Sequence, residues 1–265
     1  HYDNLKHIDL MWASPPCQAF SMAGERKGAL DDRNGWPWTL DVIDHLQSRG
    51  IGPEYVICEN VPGMTYHKSD CDRTDMFSCA GCYWEGWIQP QFKKRFKWLG
   101  TVMLNAADFG VAQHRKRVFL VAGPRPIPWP QKTHCSQDKI NQQRMFGAAM
   151  RPWVSIGTAL GINTTIIGGG RNPTPDPNDK RTYRDITEEP STTVAAVQIG
   201  NAGPFIVDED SRKLTWRECA KLQGFPDDHP FQGDTQVSLY RQVGNAVCPV
   251  VSEVLGQCVM KTMDS

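Results

Sequence analysis

The chain has 265 residues, enough for one large domain or for one domain carrying a smaller lobe. Its formal net charge at pH 7 is zero, so no overall positive field indicates a polyanionic partner. We find no apolar run long enough to cross a bilayer and no secretory signal, which argues against a membrane protein. The nine cysteines then fit the reduced state expected in the cytoplasm.

Strands and helices alternate in the first part of the sequence. A buried strand over 8–13 ends at Ser14-Pro15-Pro16, a helix opens at Pro37 and stops at Gly50, and a strand over 55–58 runs into Glu59. Two more strands are predicted over 102–104 and 118–122. This order predicts an open α/β sheet, in which ligands bind beyond the carboxyl ends of strands. Cys17 and Glu59 both follow such ends.

The composition changes after Gly123, where prolines at alternate positions exclude a helix or a central strand. Residues 124–211 are rich in Gly, Pro, Asn and Thr and are predicted to form a separate small lobe. Regular structure returns over 212–265, with helices opening near Thr215 and at Pro249. We therefore predict a catalytic part over 1–123, with a Cys-rich insertion at about 65–90, then the lobe, then a return to the catalytic part.

The stretch WASPPCQAFSMAG places one cysteine, Cys17, at the end of a loop stiffened by two prolines. That setting favours a nucleophile, although a loop cysteine without a catalytic role is the alternative. Glu59 follows four apolar residues, so its carboxyl group is either held by donors at a functional site or caps the turn before Pro62-Gly63.

Two basic features and one turn allow a functional and a structural interpretation. Arg115 and Arg117 are two positions apart at the start of a strand, so both side chains are expected on one side of it. There they either bind a phosphate or a carbonyl oxygen, or they are only the charged residues common at the start of a strand. The cluster 93–97 is either a nucleic-acid face or a solvated helix face. The turn 244–247 contacts a ligand or is only a turn.

A group of soft ligands lies in the predicted insertion. The spacing H-x3-C-x7-C-x2-C joins His67, Cys71, Cys79 and Cys82. Two cysteines in a C-x2-C pair with two further ligands can chelate zinc. The spacing is not a standard zinc-finger pattern, and free thiols in an insertion are the alternative.

Five stretches resemble, in family order, motifs of the DNA (cytosine-5)-methyltransferases. They are SPPCQAFSMAG, ENVPGM, QHRKR, RKLTWRECAKLQGFP and YRQVGNAV. The resemblance covers nearly the whole chain. It implies a Rossmann-like, S-adenosylmethionine-dependent methyltransferase sheet that acts on carbon 5 of a cytosine flipped out of double-stranded DNA.

The resemblance also implies roles for single residues. Cys17 adds to carbon 6 of the base, and Glu59 holds ring nitrogen 3 and the exocyclic amine. Arg115 and Arg117 orient the base and its phosphate, and of the two Arg117 is the one expected to support the loop. The implied supporting residues are Gln18, Asn60 and Gln113. The implied cofactor-binding residues are Pro16, Trp36, Asn245 and Ala246. The lobe over 124–211 corresponds to the family's target-recognition region, which reads base edges in the major groove.

The chain departs from the family pattern at its start. The Gly-rich strand, turn and helix that cradle S-adenosylmethionine are not found, so we expect a truncated or split enzyme whose cofactor site is completed by a separate amino-terminal segment. A prokaryotic or phage-encoded enzyme of a restriction-modification system fits this reading. The alternatives are a non-catalytic DNA-binding remnant and a transfer RNA cytosine-5 methyltransferase.

Overall fold

The computed structural model describes residues 4–16, 33–69, 71, 73, 75–77, 79–143, 150–169, 183–195, 205–206 and 212–265. The chain divides into two compact units. The first comprises 1–104, 116–129 and 258–265, and the second comprises 105–115 and 130–257. The division into a catalytic part and a target-recognition lobe over 124–211 concerns function and stays a prediction.

An open sheet with helices packed on it forms the core of the first unit. Its described elements are, in chain order, β1 (Ile8–Ala13), α1 (Trp36–Ser48), β2 (Pro53–Asn60), α2 (Ala80–Tyr83), α3 (Gln89–Arg95), β3 (Trp98–Asn105) and β4 (Lys116–Gly123). A short 3-10 turn, Pro62–Thr65, follows β2, and a π-helical turn, Trp84–Ile88, joins α2 to α3. The predicted strands and the first helix are confirmed.

The sheet has the strand order β1-β2-β4-β3. Strand β1 runs parallel to β2, with Ala13 opposite Cys58, whereas β4 runs antiparallel to β2, with Glu59 opposite Phe119. The predicted α/β sheet is confirmed, and its strand directions are mixed. Because β1 and β2 are parallel, the chain leaves both strands at the same edge of the sheet.

The two faces of β2 have different chemistry. Val56 and Cys58 belong to the core cluster, together with Leu120 of β4. Complete burial raises the pKa of the Cys58 thiol far above its usual value, so this sulfur stays protonated. Successive side chains of a strand point to opposite faces, so Glu59 leaves the sheet on the face away from this cluster.

Helix α1 covers one face of the sheet. Pro37 lies in its first turn, where a missing N–H costs nothing, and Gly50 takes a φ of +71° just beyond its end. Leu40 and Ile43 form its buried stripe with Trp36. The helix therefore begins and ends where the sequence signals predict.

The second unit combines small sheets with helices. Its described elements are β5 (His134–Cys135), α4 (Gln137–Gln143), β6 (Arg151–Pro152), α5 (Ile156–Leu160), β7 (Ile166–Gly169), β8 (Tyr183–Asp185), β9 (Phe205–Ile206), β10 (Arg212–Lys213), α6 (Trp216–Leu222), α7 (Gln236–Asn245) and α8 (Pro249–Met263), whose last turns belong to the first unit. The predicted helix start at Thr215 is confirmed by a capping box with Glu218.

The carboxyl-terminal helices correct the expectation that no apolar stretch of the chain is long enough to cross a bilayer. The stretch Gln236–Met263 is long and apolar enough, by length and composition, to cross a membrane. It is interrupted between Asn245 and Pro249, however, and Val243 and Leu255 are fully buried inside the protein. The stretch is therefore two helices, and each contributes residues to the protein core.

Candidate active site

A hydrogen bond joins the two loops that leave the carboxyl ends of β1 and β2. The side-chain amide of Asn60 donates to the carbonyl oxygen of Pro15 over 3.1 Å, and its Oδ1 accepts from the backbone N–H of Val61 over 2.9 Å. Asn60 is almost fully buried, so these bonds are shielded from water. The supporting role implied for Asn60 stays a prediction that this geometry favours.

Gly35 packs against Pro16. A β-carbon on Gly35 would lie 2.4 Å from the Cδ of Pro16, so only glycine allows this approach. Next to it, the amide of Asn34 donates to the hydroxyl of Tyr83 over 2.9 Å. The sequence analysis did not predict these contacts, because the sequence of a turn such as Asn34-Gly35 does not indicate which distant residues it contacts.

Cys17 and Gln18 lie outside the described residues. Cys17 directly follows Pro16, the residue packed against Gly35, and Pro15 is held by Asn60. The described chain therefore fixes where the segment containing Cys17 begins, at the same sheet edge as Glu59.

Glu59 forms an ion pair with Arg117 across the sheet. Glu59 lies opposite Phe119 in the antiparallel pairing of β2 with β4, so Arg117, two residues before Phe119, is its diagonal neighbour on the same face. The Nε of Arg117 lies 2.9 Å from Oε1 of Glu59, and the two side chains are only 14% and 10% exposed. The carboxylate is therefore oriented by a cation, at the end of its strand.

Arg115 has a different environment and corrects two predictions: that the two arginines serve one ligand, and that Arg117 is the one that supports the loop. Its Nη1 donates to the carbonyl of Val194 over 3.0 Å, and its Nη2 donates to those of Gly244 and Ala246 over 2.7 and 2.9 Å. The residue is 2% exposed. Both terminal nitrogens are thus used on backbone carbonyls inside the second unit, which suits a loop-holding residue and not a phosphate ligand.

Gln113 supports the same part of the second unit. It is fully buried, and its side-chain oxygen accepts from the backbone N–H of Val194 over 2.9 Å. Together with Arg115 it fixes the segment around Val194. The supporting role implied for Gln113 stays a prediction that these contacts favour.

The residues implied for S-adenosylmethionine fit the group only in part. Pro16 and Asn245 are exposed and Ala246 is half-buried, so each can offer surface to a ligand. Trp36 cannot, because it is 0% exposed and packs edge-on against Trp84 and Phe92 in the core, and the cofactor role expected for it is corrected. Among the described residues we find no glycine-rich turn between a parallel strand and a helix.

The four soft ligands of the insertion come together. The ligand atoms of His67, Cys71, Cys79 and Cys82 all lie within 4.8 Å of one another. Burial opposes ionisation of the Cys79 thiol, but hydrogen bonds from the backbone of Cys82 and Lys68 outweigh it and lower its pKa to about 7.

The basic cluster over 93–97 is partly used within the protein. Arg95 forms a two-pronged ion pair with Asp44, with both contacts at 2.5 Å, and also donates to the backbone of Gln91. Lys93 and Lys94 are exposed at the end of α3. At Arg95, the structure therefore favours the helix-face interpretation.

Comparison with solved structures identifies the fold. A methyltransferase of Entamoeba histolytica, EhMeth, matches with a TM-score of 0.62 at 16% identity, covering 97% of this chain and 78% of that one. The Dnmt2 methyltransferase of S. pombe matches with a TM-score of 0.59 at 18% identity, covering 97% and 79%. The fold is that of the S-adenosylmethionine-dependent methyltransferases.

Sequence relatives narrow the class to a family. A family model described as C-5 cytosine-specific DNA methylase matches residues 1–145 and 123–261. The type II methyltransferase M1.HphI of Haemophilus parahaemolyticus is 30% identical, and the match covers 97% of this chain and 70% of that protein. The type II methyltransferase M.AplI of Arthrospira platensis is 28% identical, with coverage of 99% and 71%.

The chain belongs to the C-5 cytosine-specific DNA methylase family. Its activity is the transfer of a methyl group to carbon 5 of cytosine in DNA, and S-adenosylmethionine is the methyl donor of this family. The family resemblance found in the five sequence motifs is confirmed.

Proposed function

We propose that this chain methylates DNA through a covalent bond between Cys17 and carbon 6 of a flipped cytosine, with Glu59 gripping the opposite edge of the ring. The observation that carries the proposal is the hydrogen bond from Asn60 to Pro15. It supports a site in which the segment entering Cys17 and the strand ending in Glu59 start from one edge of the sheet.

Each protein group has a defined task in this reaction. The Cys17 thiolate adds to carbon 6, which turns the ring into an enamine-like species with a nucleophilic carbon 5. Glu59 holds ring nitrogen 3 and the exocyclic amine and stabilises the charge that develops during addition. S-adenosylmethionine, when bound, supplies the methyl group. Loss of the carbon 5 proton to solvent and departure of the Cys17 thiolate then release 5-methylcytosine.

Arg117 is the residue that orients Glu59. Its Nε lies on the carboxylate of Glu59 in a largely buried pair, so the carboxylate keeps one direction before the base arrives. We assign to Arg117 the base-orienting role, and to Arg115 the support of the loops around Gly244 and Ala246.

We further propose that an amino-terminal segment completes the cofactor site to which Pro16 contributes. Two observations support a docking place on β1. Within the described part of the chain β1 is the last strand of its sheet, and a cavity of about 780 Å³ lies beside it. The cavity has largely apolar walls, which include Ile8, Leu10, Trp12, Val42, Leu46 and Met263. A parallel strand bringing a Gly-rich turn suits such an edge.

An assay of labelled methyl transfer tests the segment. We expect weak cofactor binding and slow transfer by the 265 residues alone, and strong stimulation when the amino-terminal segment of a full-length relative is added. Full activity of the 265 residues without any addition would contradict this part of the proposal.

Covalent trapping tests the catalytic assignment. Duplex DNA containing 5-fluorocytosine, incubated with the chain, the cofactor and the added segment, is expected to form an adduct that survives denaturing electrophoresis. Cys17→Ser should abolish the adduct, whereas the matched variant Cys258→Ser should retain it, since Cys258 is a half-buried thiol near the carboxyl terminus.

The same experiment separates the alternatives. DNA binding without an adduct from the unmodified chain would indicate a non-catalytic remnant, and trapping on transfer RNA in place of duplex DNA would indicate the RNA enzyme.

The remaining proposals concern base recognition, location and metal binding. We assign the reading of the DNA bases to the lobe over 124–211 and place the enzyme in the cytoplasm. The cluster of His67 with three cysteines is proposed as a zinc site of this chain.

A further inference from the structure

We infer that the zinc site at His67, Cys71, Cys79 and Cys82 is a closed structural centre, and that it acts on methyl transfer by fixing Tyr83, which holds Asn34. The inference rests on the zinc assignment proposed above. It concerns residues that the methyl-transfer mechanism does not use.

The spacing of the ligand atoms comes close to that around a tetrahedral ion. The Sγ atoms of Cys71 and Cys82 are 3.2 Å apart, and those of Cys79 and Cys71 are 3.5 Å apart. Zinc–sulfur bonds of about 2.3 Å put two sulfurs about 3.8 Å apart in a tetrahedron, while a disulfide requires about 2.05 Å. The separations exclude a disulfide and lie about 0.3 to 0.6 Å below the tetrahedral spacing, so small side-chain shifts would bring the sulfurs around one ion.

His67 presents one particular nitrogen to the sulfurs. Its Nδ1 lies 3.6 Å from Sγ of Cys79 and 3.4 Å from Sγ of Cys82. Its other nitrogen, Nε2, lies 3.3 Å from Oε1 of Glu85, at ion-pair distance although not aligned as a regular hydrogen bond. With zinc on Nδ1, the proton stays on Nε2 and faces Glu85, an arrangement that orients the ring. Glu85 is thus a positioning residue.

The backbone around the cluster is shaped for it. A β-carbon on Gly81 would lie 2.8 to 2.9 Å from the ring and backbone of His67, so the ring sits in a space that only glycine leaves open. The backbone N–H of Gly81 donates to the carbonyl of Tyr66, and that of Cys82 donates to the sulfur of Cys79. With four protein ligands no coordination position is open to substrate, so the centre is structural.

One residue carries the effect of the centre towards the active site. Tyr83 directly follows Cys82, is almost fully buried, and accepts the hydrogen bond of Asn34 through its hydroxyl. Asn34 immediately precedes Gly35, which packs on Pro16, the residue before Cys17. The metal joins α2 to the segment after β2 that contains His67 and Cys71. In this way it fixes Tyr83 of α2 where its hydroxyl accepts the hydrogen bond of Asn34.

Metal binding is tested first, by a measurement independent of methylation. The full chain, purified without chelator, should contain one zinc per chain, and Co²⁺ substituted for it should show thiolate charge-transfer bands and the intense d–d absorption of a tetrahedral site. Cys71→Ser should lose the zinc, whereas Cys258→Ser should keep it. Glu85→Gln should weaken zinc binding about tenfold or more while keeping the same cobalt spectrum.

Wild-type protein with less than a tenth of an equivalent of zinc, or with a disulfide between any two of the three cysteines, would overturn the assignment. Because no DNA or cofactor is involved, this outcome is distinct from a failure of the proposed catalytic mechanism.

The link through Tyr83 is tested by a cycle of two changes. Tyr83→Phe should keep one zinc per chain but lower kcat several-fold, and removing zinc from the wild-type chain should lower kcat at least as much. Removing zinc from Tyr83→Phe should not lower kcat further through the hydrogen bond between Asn34 and Tyr83, because either change alone already breaks that bond. Losses that multiply, or unchanged kinetics in the metal-free chain, would show that Tyr83 does not transmit the effect.

Discussion

The motif QHRKR places one arginine, Arg117, at the sheet edge of the first unit and another, Arg115, in the turn region of the second unit. The two arginines have different partners. At the sheet edge, Arg117 neutralises a carboxylate. In the turn region, Arg115 binds three backbone carbonyls. A charged partner can change when substrate arrives, whereas backbone carbonyls hold a fold in place, so spacing in a motif does not assign equal roles.

The strongest test of this difference is Arg115→Ala. It leaves three carbonyls without their donor, and we expect the free energy of unfolding to fall by about 3–5 kcal/mol. Urea unfolding measures the loss. The matched control is Arg212→Ala, which removes a half-exposed arginine paired with Glu218 and should cost below about 1 kcal/mol. Equal losses in the two variants would contradict the structural role of Arg115.

Gly35→Ala tests how tightly the sheet edge is packed. The new methyl group would overlap Pro16, and we expect a loss of about 1–3 kcal/mol in unfolding free energy together with reduced methylation. Gly256→Ala is the control, because nothing lies within 4 Å of its added β-carbon and alanine favours the helix. A neutral Gly35→Ala would mean that the approach to Pro16 is loose.

Arg117→Lys tests whether the sheet edge needs geometry or charge alone. Lysine keeps the positive charge but loses the planar Nε contact with Glu59, so we expect kcat to fall about tenfold with little change in stability. Steady-state methylation kinetics measure the effect. If Arg117→Lys instead unfolds like Arg115→Ala, the contrast between the two regions fails.

The smallest expected effect is the pH dependence of the capping box in the second unit. Burial opposes ionisation of Glu218, but hydrogen bonds from Arg212 and Thr215 outweigh it, so its pKa is lowered. A lowered pKa stabilises the fold above the unfolded value of about 4.3, and the contribution disappears as pH falls below it. In urea unfolding, the free energy of unfolding of the wild type should exceed that of Glu218→Gln by about 1 kcal/mol at pH 6 and by less at pH 3.5. A gap that stays constant with pH would contradict this.

Local signals in the sequence predicted the elements that position the site. Pro37 and Gly50 bracket α1, and strand patterns located Glu59 at the end of β2. The cluster at His67 could be proposed from spacing alone, because its ligands are close in the chain.

Contacts between distant residues could not be predicted in the same way. The burial of Trp36 depends on Trp84 and Phe92, which lie about 50 residues further along the chain. The carbonyl partners of Arg115 lie between about 80 and 130 positions away, so a strand-alternation argument placed its side chain incorrectly. Spacing gives neighbours along an element and not across the fold.

The alternation of β2 has a consequence for how the enzyme can vary. Cys58 and Glu59 are neighbours in the chain, but one is a protonated thiol in the core and the other a paired carboxylate on the opposite face. Deleting or inserting one residue upstream in this strand would exchange them, burying the acid without Arg117 and presenting a sulfur in its place. We therefore expect homologous enzymes to tolerate altered lengths in the loops around this strand far more readily than within it.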